Sequence, residues 1–226
     1  MTLHNLFNNV ISLFYPSRCA VCDALSRTAF CGKCAAEYPP TTAAASGFDG
    51  LDRVYALFPY TDKVRKAVLN LKFHARPDIA ASLGRAAAEF APFTAADIDV
   101  VTFIPLSKKR ARERGYNQAE IFAKSYAKGK GLPCRALLVR TRNTAANSGL
   151  AAAARKENVS GAFAMKNGAS AAGKRILLCD DVLTTGSTVA SAAAVLRDAG
   201  AASVCVLCAA KTRYDGEDVP EDGDPR

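Results

Sequence analysis

The sequence has no hydrophobic run long enough to cross a membrane. Residues 1–15 show the apolar spacing of an amphipathic helix, but a bilayer requires about 20 residues of helix. No Lys or Arg precedes the apolar part, and Asn8 and Asn9 interrupt it, which disfavours a secretory signal. We therefore expect a cytoplasmic protein without a transmembrane segment, whose first helix packs on the adjacent domain. A contact of this helix with a membrane surface or a partner is the alternative.

The sequence also lacks the phosphate loop of the P-loop nucleotide-binding proteins. No glycine is followed, four residues later, by Gly-Lys-Ser or Gly-Lys-Thr, so that class of nucleotide site is excluded. Histidine is scarce, since the chain has two. His74 and Lys72 fall at the end of a predicted helix, where the helix dipole favours cations. Their position needs no catalytic role, and the sequence identifies no general base.

The chain is basic except at its C-terminus. The formal net charge is +9, and residues 215–226 carry six acids against one arginine, so the rest of the chain has a net charge of +14. This surplus favours polyanionic ligands, either phosphorylated sugars or nucleic acid. Residues 214–226 also lack apolar spacing, which predicts a disordered acidic tail.

Four of the eight cysteines form two C-x-x-C pairs, Cys19 with Cys22 and Cys31 with Cys34. In a chain without a secretory signal, this spacing is typical of four thiolates around one structural zinc ion. Two disulfides or four free thiols remain the alternatives. The pairs define a small N-terminal zinc-ribbon-like module over 1–40, and a linker of turn-forming residues leads to a main domain over 51–213.

Apolar runs alternate with helical patterns in the main domain. Strands are predicted at 53–58, 100–104, 176–179 and 204–209, and helices at 63–73, 79–90 and 189–199. This alternation indicates an α/β fold, with a parallel sheet flanked by helices. Cys205 and Cys208 have the spacing of a third ligand pair, but they lie in a predicted strand and point to opposite faces, so both are expected in the core.

Acidic and hydroxyl-bearing residues follow the strand at 176–179. Asp180 and Asp181 come first, and two carboxylates at a strand end suit sugar hydroxyls or a magnesium ion, which prefers hard oxygen ligands. The next group precedes a helix, whose first N–H groups can close around a phosphate; it consists of Thr184, Thr185, Gly186, Ser187 and Thr188. The run predicts a sugar-phosphate site, with an ordinary strand–turn–helix corner as the alternative.

A basic segment follows the strand at 100–104. Five cations fall within the seven positions 108–114, at the carboxyl edge of a predicted parallel sheet, where ligands bind. They would repel one another without an anion, and arginine offers a pyrophosphate paired hydrogen bonds. A solvated basic face is the alternative. The predicted pyrophosphate-binding set is Ser107, Lys108, Arg110, Arg112 and Arg114.

Two motifs resemble known families. The run 176–188 resembles the phosphoribosyl pyrophosphate (PRPP) signature of the type I phosphoribosyltransferases, an apolar strand followed by paired acids and then Thr-Gly-Ser-Thr. The sequence Arg-x-Arg-Gly-Tyr-Asn-Gln at 112–118 lies between that run and the four-cysteine module, an order that looks like the ComF family of competence-related proteins. Asn147 stands where that family usually has Gln.

The resemblance implies the phosphoribosyltransferase fold, with PRPP and Mg²⁺ as ligands and zinc in the cysteine module. It also implies that Asp180 and Asp181 hold the ribose hydroxyls and that residues 184–188 hold the 5-phosphate. Two functions follow from it. One is an enzyme of DNA uptake or nucleotide salvage that displaces pyrophosphate from PRPP with a base or an amine. The other is a non-catalytic protein that binds single-stranded DNA and contacts the DNA-uptake machinery during natural transformation.

Overall fold

The computed structural model describes residues 18–19, 21–26, 28, 30–37, 39, 44–45, 51–73, 76–142 and 161–212. Within these residues the strands are β1 (Ala44–Ala45), β2 (Arg53–Pro59), β3 (Val100–Phe103), β4 (Leu138–Arg140), β5 (Phe163–Met165), β6 (Arg175–Leu183) and β7 (Ser203–Lys211). The helices are α1 (Gly32–Glu37), α2 (Asp62–Phe73), α3 (Pro77–Phe90), α4 (Lys108–Arg114), α5 (Gln118–Lys130) and α6 (Ser187–Asp198).

The main sheet has the strand order β1-β2-β7-β6-β3 in the described part of the chain. β2, β7, β6 and β3 run parallel, whereas β1 pairs with β2 in the antiparallel direction. β4 and β5 form a separate antiparallel pair. The predicted α/β fold with a parallel sheet is confirmed. Because β3 and β6 are neighbours, with Phe103 paired to Cys179, their carboxyl ends lie side by side at one edge.

The sheet separates two hydrophobic cores, because successive side chains of a strand point to opposite faces. On β7, Cys205 and Leu207 lie in the core beneath α3 and α5, while Val206 and Cys208 lie in the core beneath α6. Both cysteines are buried. The prediction that they are core residues, and not a third ligand pair, is therefore confirmed.

Helices α3 and α5 cross closely at Gly84. A Cβ atom at this position would lie against the carbonyl oxygen of Phe122 and 2.7 Å from the Cβ atom of Ser125. The close approach of the two helices thus requires glycine. This crossing seats α5 against β3 and β6, with Phe122 and Tyr126 fully buried.

The four-cysteine module packs directly on the main domain. Phe30 meets Phe58 of β2 edge to face, with ring centroids 4.7 Å apart, and Cys19 is buried in the same core as these rings. Two ion pairs cross the same boundary, Glu37–Lys63 at 2.5 Å and Asp23–Arg76 at 2.8 Å. The four-cysteine module and one face of the sheet therefore share a hydrophobic core.

The strands predicted at 53–58 and 100–104 and the helices predicted at 63–73 and 79–90 agree with the structure to within one or two residues. The N-terminal helix over 1–15, the tail at 214–226, His74 and Asn147 lie outside the described residues. Across the ranges that the structure describes, no helix is both long and apolar enough to cross a bilayer.

Candidate functional site

Asp180 and Asp181 lie at the carboxyl end of β6, between β3 and β7. Each carboxylate accepts a hydrogen bond from the following residue. The Oδ1 atom of Asp180 accepts from the N–H of Asp181, and the Oδ1 atom of Asp181 accepts from the N–H of Val182, both at 2.8 Å. These bonds fix the two side chains relative to the strand.

The two carboxyl groups differ in protonation. Burial, and then the charge of Asp181, raise the pKa of Asp180 to about 8. Burial also raises the pKa of Asp181, but the Lys72 ammonium, 3.2 Å from its Oδ2 atom, outweighs burial and brings that pKa below its ordinary value. The pair therefore holds a proton to higher pH than two separate aspartates would, and Lys72 favours the negative charge on Asp181.

The hydroxyl-rich segment forms the turn between β6 and α6. Gly186 is the N-cap of α6 and has a φ of 77°, a left-handed conformation that glycine adopts without strain. The Thr185 and Ser187 hydroxyl oxygens lie 2.7 Å apart, and the Thr185 oxygen also accepts a long bond of 3.4 Å from the Ser187 N–H.

This turn differs from an ordinary threonine-capped corner, because Gly186 has no side chain with which to cap α6. The helix begins at Ser187, two residues before the predicted start at Val189. Since α6 directly follows β6, its N-terminus lies at the same edge as the acid pair, where its N–H groups and dipole favour an anion.

The basic segment forms α4, a short helix capped at both ends. Ser107 is buried, and its hydroxyl oxygen accepts a hydrogen bond from the N–H of Arg110 at 3.3 Å. Gly115, with a φ of 74°, ends the helix. Ser107 therefore acts as an N-cap, and its predicted contact with pyrophosphate stays a prediction.

The cations of α4 divide between two faces. Arg110 and Arg114 are one turn apart on a shared face, and both are half-buried. Burial lowers the pKa of Arg114; the charge of Asp181 opposes this shift, and the charge of Arg110 adds to it. The structure thus places Arg114 within the electrostatic influence of Asp181, with Arg110 beside it on the same face of the helix. It leaves the other cations of α4 exposed, namely Lys108, Lys109 and Arg112.

Asn117 secures the chain that follows α4. Its side-chain oxygen accepts a hydrogen bond from the N–H of Ala119 at 3.1 Å and so caps α5. Its side-chain nitrogen donates to the carbonyl of Ile104 at 3.0 Å. This part of the 112–118 motif therefore ties the basic helix to the end of β3.

Two further cations join the site and were not predicted from the sequence. Lys72 reaches Asp181 from the end of α2. The second is Arg140 of β4. Burial lowers the pKa of Arg140, the charge of Arg110 lowers it further, and the charge of Asp180 opposes both effects. The helix dipole alone explains the position of Lys72 in the sequence, and nothing there shows that the end of α2 meets β6. For Arg140 the sequence holds no signal.

The four predicted zinc ligands converge. The Sγ atoms of Cys19, Cys22, Cys31 and Cys34 all lie within 4.8 Å of one another, and those of Cys22 and Cys31 are 3.6 Å apart. The thiols are free and do not form disulfides. Zinc–sulfur bonds of about 2.3 Å in a tetrahedron place the sulfurs about 3.8 Å apart. The cluster is therefore compatible with a structural zinc ion.

Backbone groups prepare one thiol for a metal. Burial raises the pKa of Cys19, but hydrogen bonds from the backbone N–H groups of Cys22, Cys31 and Val21 outweigh burial and lower it to about 7. Burial and the neighbouring thiols raise the pKa of Cys34 to about 12. Four thiolates this close together need a cation to stabilise them.

Comparison with known proteins agrees with these motifs. Residues 59–223 match the phosphoribosyl transferase domain family. The DNA utilization protein YhgH of Salmonella typhi is 31% identical over 188 residues, which cover 80% of this chain and 78% of that protein. Competence protein F of Haemophilus influenzae is 33% identical over 107 residues, 46% of each chain.

A solved structure of the allosteric regulatory enzyme of purine biosynthesis aligns with a TM-score of 0.43 and 24% identity, covering 62% of this chain and 29% of that one. The family match extends over most of the main domain, and the relatives include both DNA utilization and competence proteins. The chain therefore belongs to the phosphoribosyltransferase domain family and, with its four-cysteine cluster, to the ComF group within it.

Proposed function

We propose that the protein binds PRPP together with Mg²⁺ at the carboxyl edge of the sheet, and that it acts in the handling of DNA taken up by the cell. One observation carries this proposal: the acid pair, the N-terminus of α6 and two half-buried arginines of α4 converge at that edge. Each group suits a different part of PRPP. The names of the relatives, DNA utilization protein and competence protein F, support the DNA context.

In this proposal the ligand lies across the ends of β6 and β3. Asp180 and Asp181 accept hydrogen bonds from the ribose hydroxyls, and residues 184–188 hold the 5-phosphate at the start of α6. The pyrophosphate lies toward Arg110 and Arg114, because guanidinium groups bind phosphate oxygens in pairs. Arg140, whose pKa responds to the charges of Arg110 and Asp180, adds a further cation to this part of the site.

The acid pair fits Mg²⁺, because carboxylate oxygens are the hard ligands that this ion prefers. When bound, the ion supplies positive charge to the pyrophosphate. The four-cysteine cluster fits zinc in a structural role, since four protein thiolates leave no position open for a substrate.

Separate binding of the two halves of PRPP tests this arrangement. Thr185→Val removes a hydroxyl while keeping the side-chain shape, and it should lower the affinity for ribose 5-phosphate about tenfold with little change for pyrophosphate. Arg114→Ala should do the reverse. Calorimetric titrations in the presence of Mg²⁺ measure both. If each variant weakens both ligands equally, or neither variant weakens either ligand, the proposed orientation is wrong.

Single-stranded DNA is a second candidate ligand, favoured by the outer face of α4. Three cations there are exposed and point away from the face that Arg110 and Arg114 share: Lys108, Lys109 and Arg112. Lys109 has an acidic neighbour in Glu113, but the two are 3.9 Å apart and their side chains are 75% and 55% exposed, so water screens the pair.

An activity assay distinguishes an enzyme from a binding protein. The protein is incubated with PRPP, Mg²⁺ and a base or amine, and release of pyrophosphate is measured. Release indicates an enzyme, and no release with any acceptor indicates a binding protein.

A further inference from the structure

Lys72 is a cation of the site that lies outside both ligand-binding motifs. It is the penultimate residue of α2, and its Nζ atom lies 3.2 Å from the Oδ2 atom of Asp181. The Lys72 side chain is 25% exposed and that of Asp181 is 16% exposed, so the pair is less screened by water than a surface ion pair. A general preference of cations for helix ends does not account for a contact with one particular carboxylate on another element.

Tyr116 holds the end of α2 from which Lys72 extends. Its hydroxyl donates a hydrogen bond to the carbonyl of Leu71 and accepts one from the backbone N–H of Arg76. Burial raises the pKa of Tyr116, so the hydroxyl keeps its proton and remains a donor. Because Tyr116 comes two residues after Arg114, the same turn holds both cations against the acid pair.

We infer that Lys72 makes the site selective for a metal–pyrophosphate ligand over the free metal ion. The inference rests on the proposed PRPP function. Without ligand, the ammonium group occupies the side of Asp181 that a divalent cation would otherwise neutralise, and two cations at such short distances repel each other. Arg114 adds to this opposition, because its charge also acts on Asp181.

Pyrophosphate reverses this balance. Its negative charges give the Lys72 ammonium a second anion to bind, and the metal ion then arrives already partly neutralised. Lys72 thus competes with the free metal ion for Asp181, but binds the pyrophosphate of the metal–PRPP complex. Mg²⁺ alone is predicted to bind weakly and PRPP with Mg²⁺ tightly.

Lys72→Met tests the inference, because it removes the ammonium group and keeps an unbranched apolar stem. The affinity for PRPP with Mg²⁺, measured by calorimetry, should fall about tenfold or more. The affinity for Mn²⁺ alone, used as a probe of the divalent-ion site and followed by electron paramagnetic resonance, should rise. Opposite changes in the two affinities distinguish this role from a structural one, which would lower both.

Three further variants serve as controls. Lys72→Arg keeps the charge and should retain most of the PRPP affinity, and Lys66→Met, at an exposed position of the same helix, should behave as wild type. Tyr116→Phe should weaken PRPP binding less than Lys72→Met does. Unchanged affinities in Lys72→Met, or a fall in both, would overturn the inference. Failure of the wild-type protein to bind PRPP at all is a different result, which contradicts the proposed function and this inference with it.

Discussion

At the scale of single residues, the acid pair is placed to bind a ligand but lowers the stability of the folded protein at neutral pH. Asp180 keeps a proton at neutral pH because burial and the charge of Asp181 raise its pKa to about 8. In the unfolded chain an aspartate ionises near pH 4, at about 3.9. The folded-state pKa lies above the unfolded one, so ionisation favours the unfolded chain. Stability from this group therefore falls as pH rises from about 4 to about 8.

Asp180→Asn removes this titration. We expect the variant to have a higher free energy of unfolding than wild type at pH 7.5, by an amount on the order of 1 kcal/mol or more, with a smaller gain at pH 5. Urea unfolding at the two pH values measures the difference. If the gain in the free energy of unfolding over wild type is no larger at pH 7.5 than at pH 5, the pKa of Asp180 is not raised.

The residues that sequence reasoning identified are those in continuous motifs. Asp180 and Asp181 could be predicted because the strand, the acids and the turn are contiguous, and the four cysteines because their spacing is specific. Lys72 and Arg140 could not, because their roles depend on where α2 and β4 pack, and side-chain contacts between distant segments leave no local pattern. The face of α4 that points inward also depends on tertiary packing.

At the scale of elements, the crossing of α3 over α5 supports the sheet edge. Alanine in place of glycine usually stabilises a helix interior by about 1 kcal/mol. Gly84→Ala should instead destabilise the protein by about 1–3 kcal/mol, because the added Cβ meets the backbone of Phe122 and the side chain of Ser125. Chemical denaturation measures the change. An equally or more stable variant would mean that the two helices do not approach this closely.

The four-cysteine module gives a second prediction at this scale. Cys31→Ser should release zinc and also lower the unfolding midpoint of the main domain, because Phe30 of the module packs on Phe58 of β2. Elemental analysis and urea unfolding measure the two effects, and Cys134→Ser, outside the cluster, should keep the metal. No zinc in wild-type protein purified without chelator, or an unchanged midpoint in Cys31→Ser, would contradict the prediction.

Most long elements of the main domain could be predicted because their apolar periodicity is strong over many residues. The exception is α5, a helix over Gln118–Lys130 that was not predicted. β4 and β5 were missed, since three residues each give too short a pattern to recognise. The full extent of α4 was also missed, because five cations and no apolar stripe resemble a solvated loop. The missed strand β4 carries Arg140, so this gap in fold prediction became a gap in site prediction. The arginines of α4 were predicted, but the face of the helix on which each one lies was not.

At the scale of the whole molecule, positive charge is distributed over more than one surface. The inner face of α4 points toward the acid pair and its outer face toward solvent. The proposed surface for single-stranded DNA therefore lies outside the proposed PRPP site. The two faces can be changed independently.

Two multiple variants separate these functions. The variant with Lys108, Lys109 and Arg112 changed to Ala should bind DNA more weakly. Its slope of log affinity against log salt should flatten by about 0.7 for each DNA phosphate that the variant no longer neutralises, about 2 for all three. Its PRPP affinity should change little. The double variant Arg110→Ala with Arg114→Ala should bind PRPP more weakly, while its DNA affinity and salt slope should change little. Fluorescence anisotropy with a labelled oligonucleotide over a salt series measures the slopes, and identical slopes in all three proteins would exclude α4 from the DNA-binding surface.

The most direct test of the account is calorimetric titration of the protein with PRPP in the presence and absence of Mg²⁺. If the proposal is correct, wild-type protein should bind one PRPP per chain, more tightly with Mg²⁺, because the acid pair, the start of α6 and the inner arginines lie at one edge of the sheet. The double variant Asp180→Asn with Asp181→Asn should lose about 1–3 kcal/mol of binding free energy for each charged hydrogen bond removed. No binding by wild type, or equal affinities of the two proteins, would contradict the proposed site.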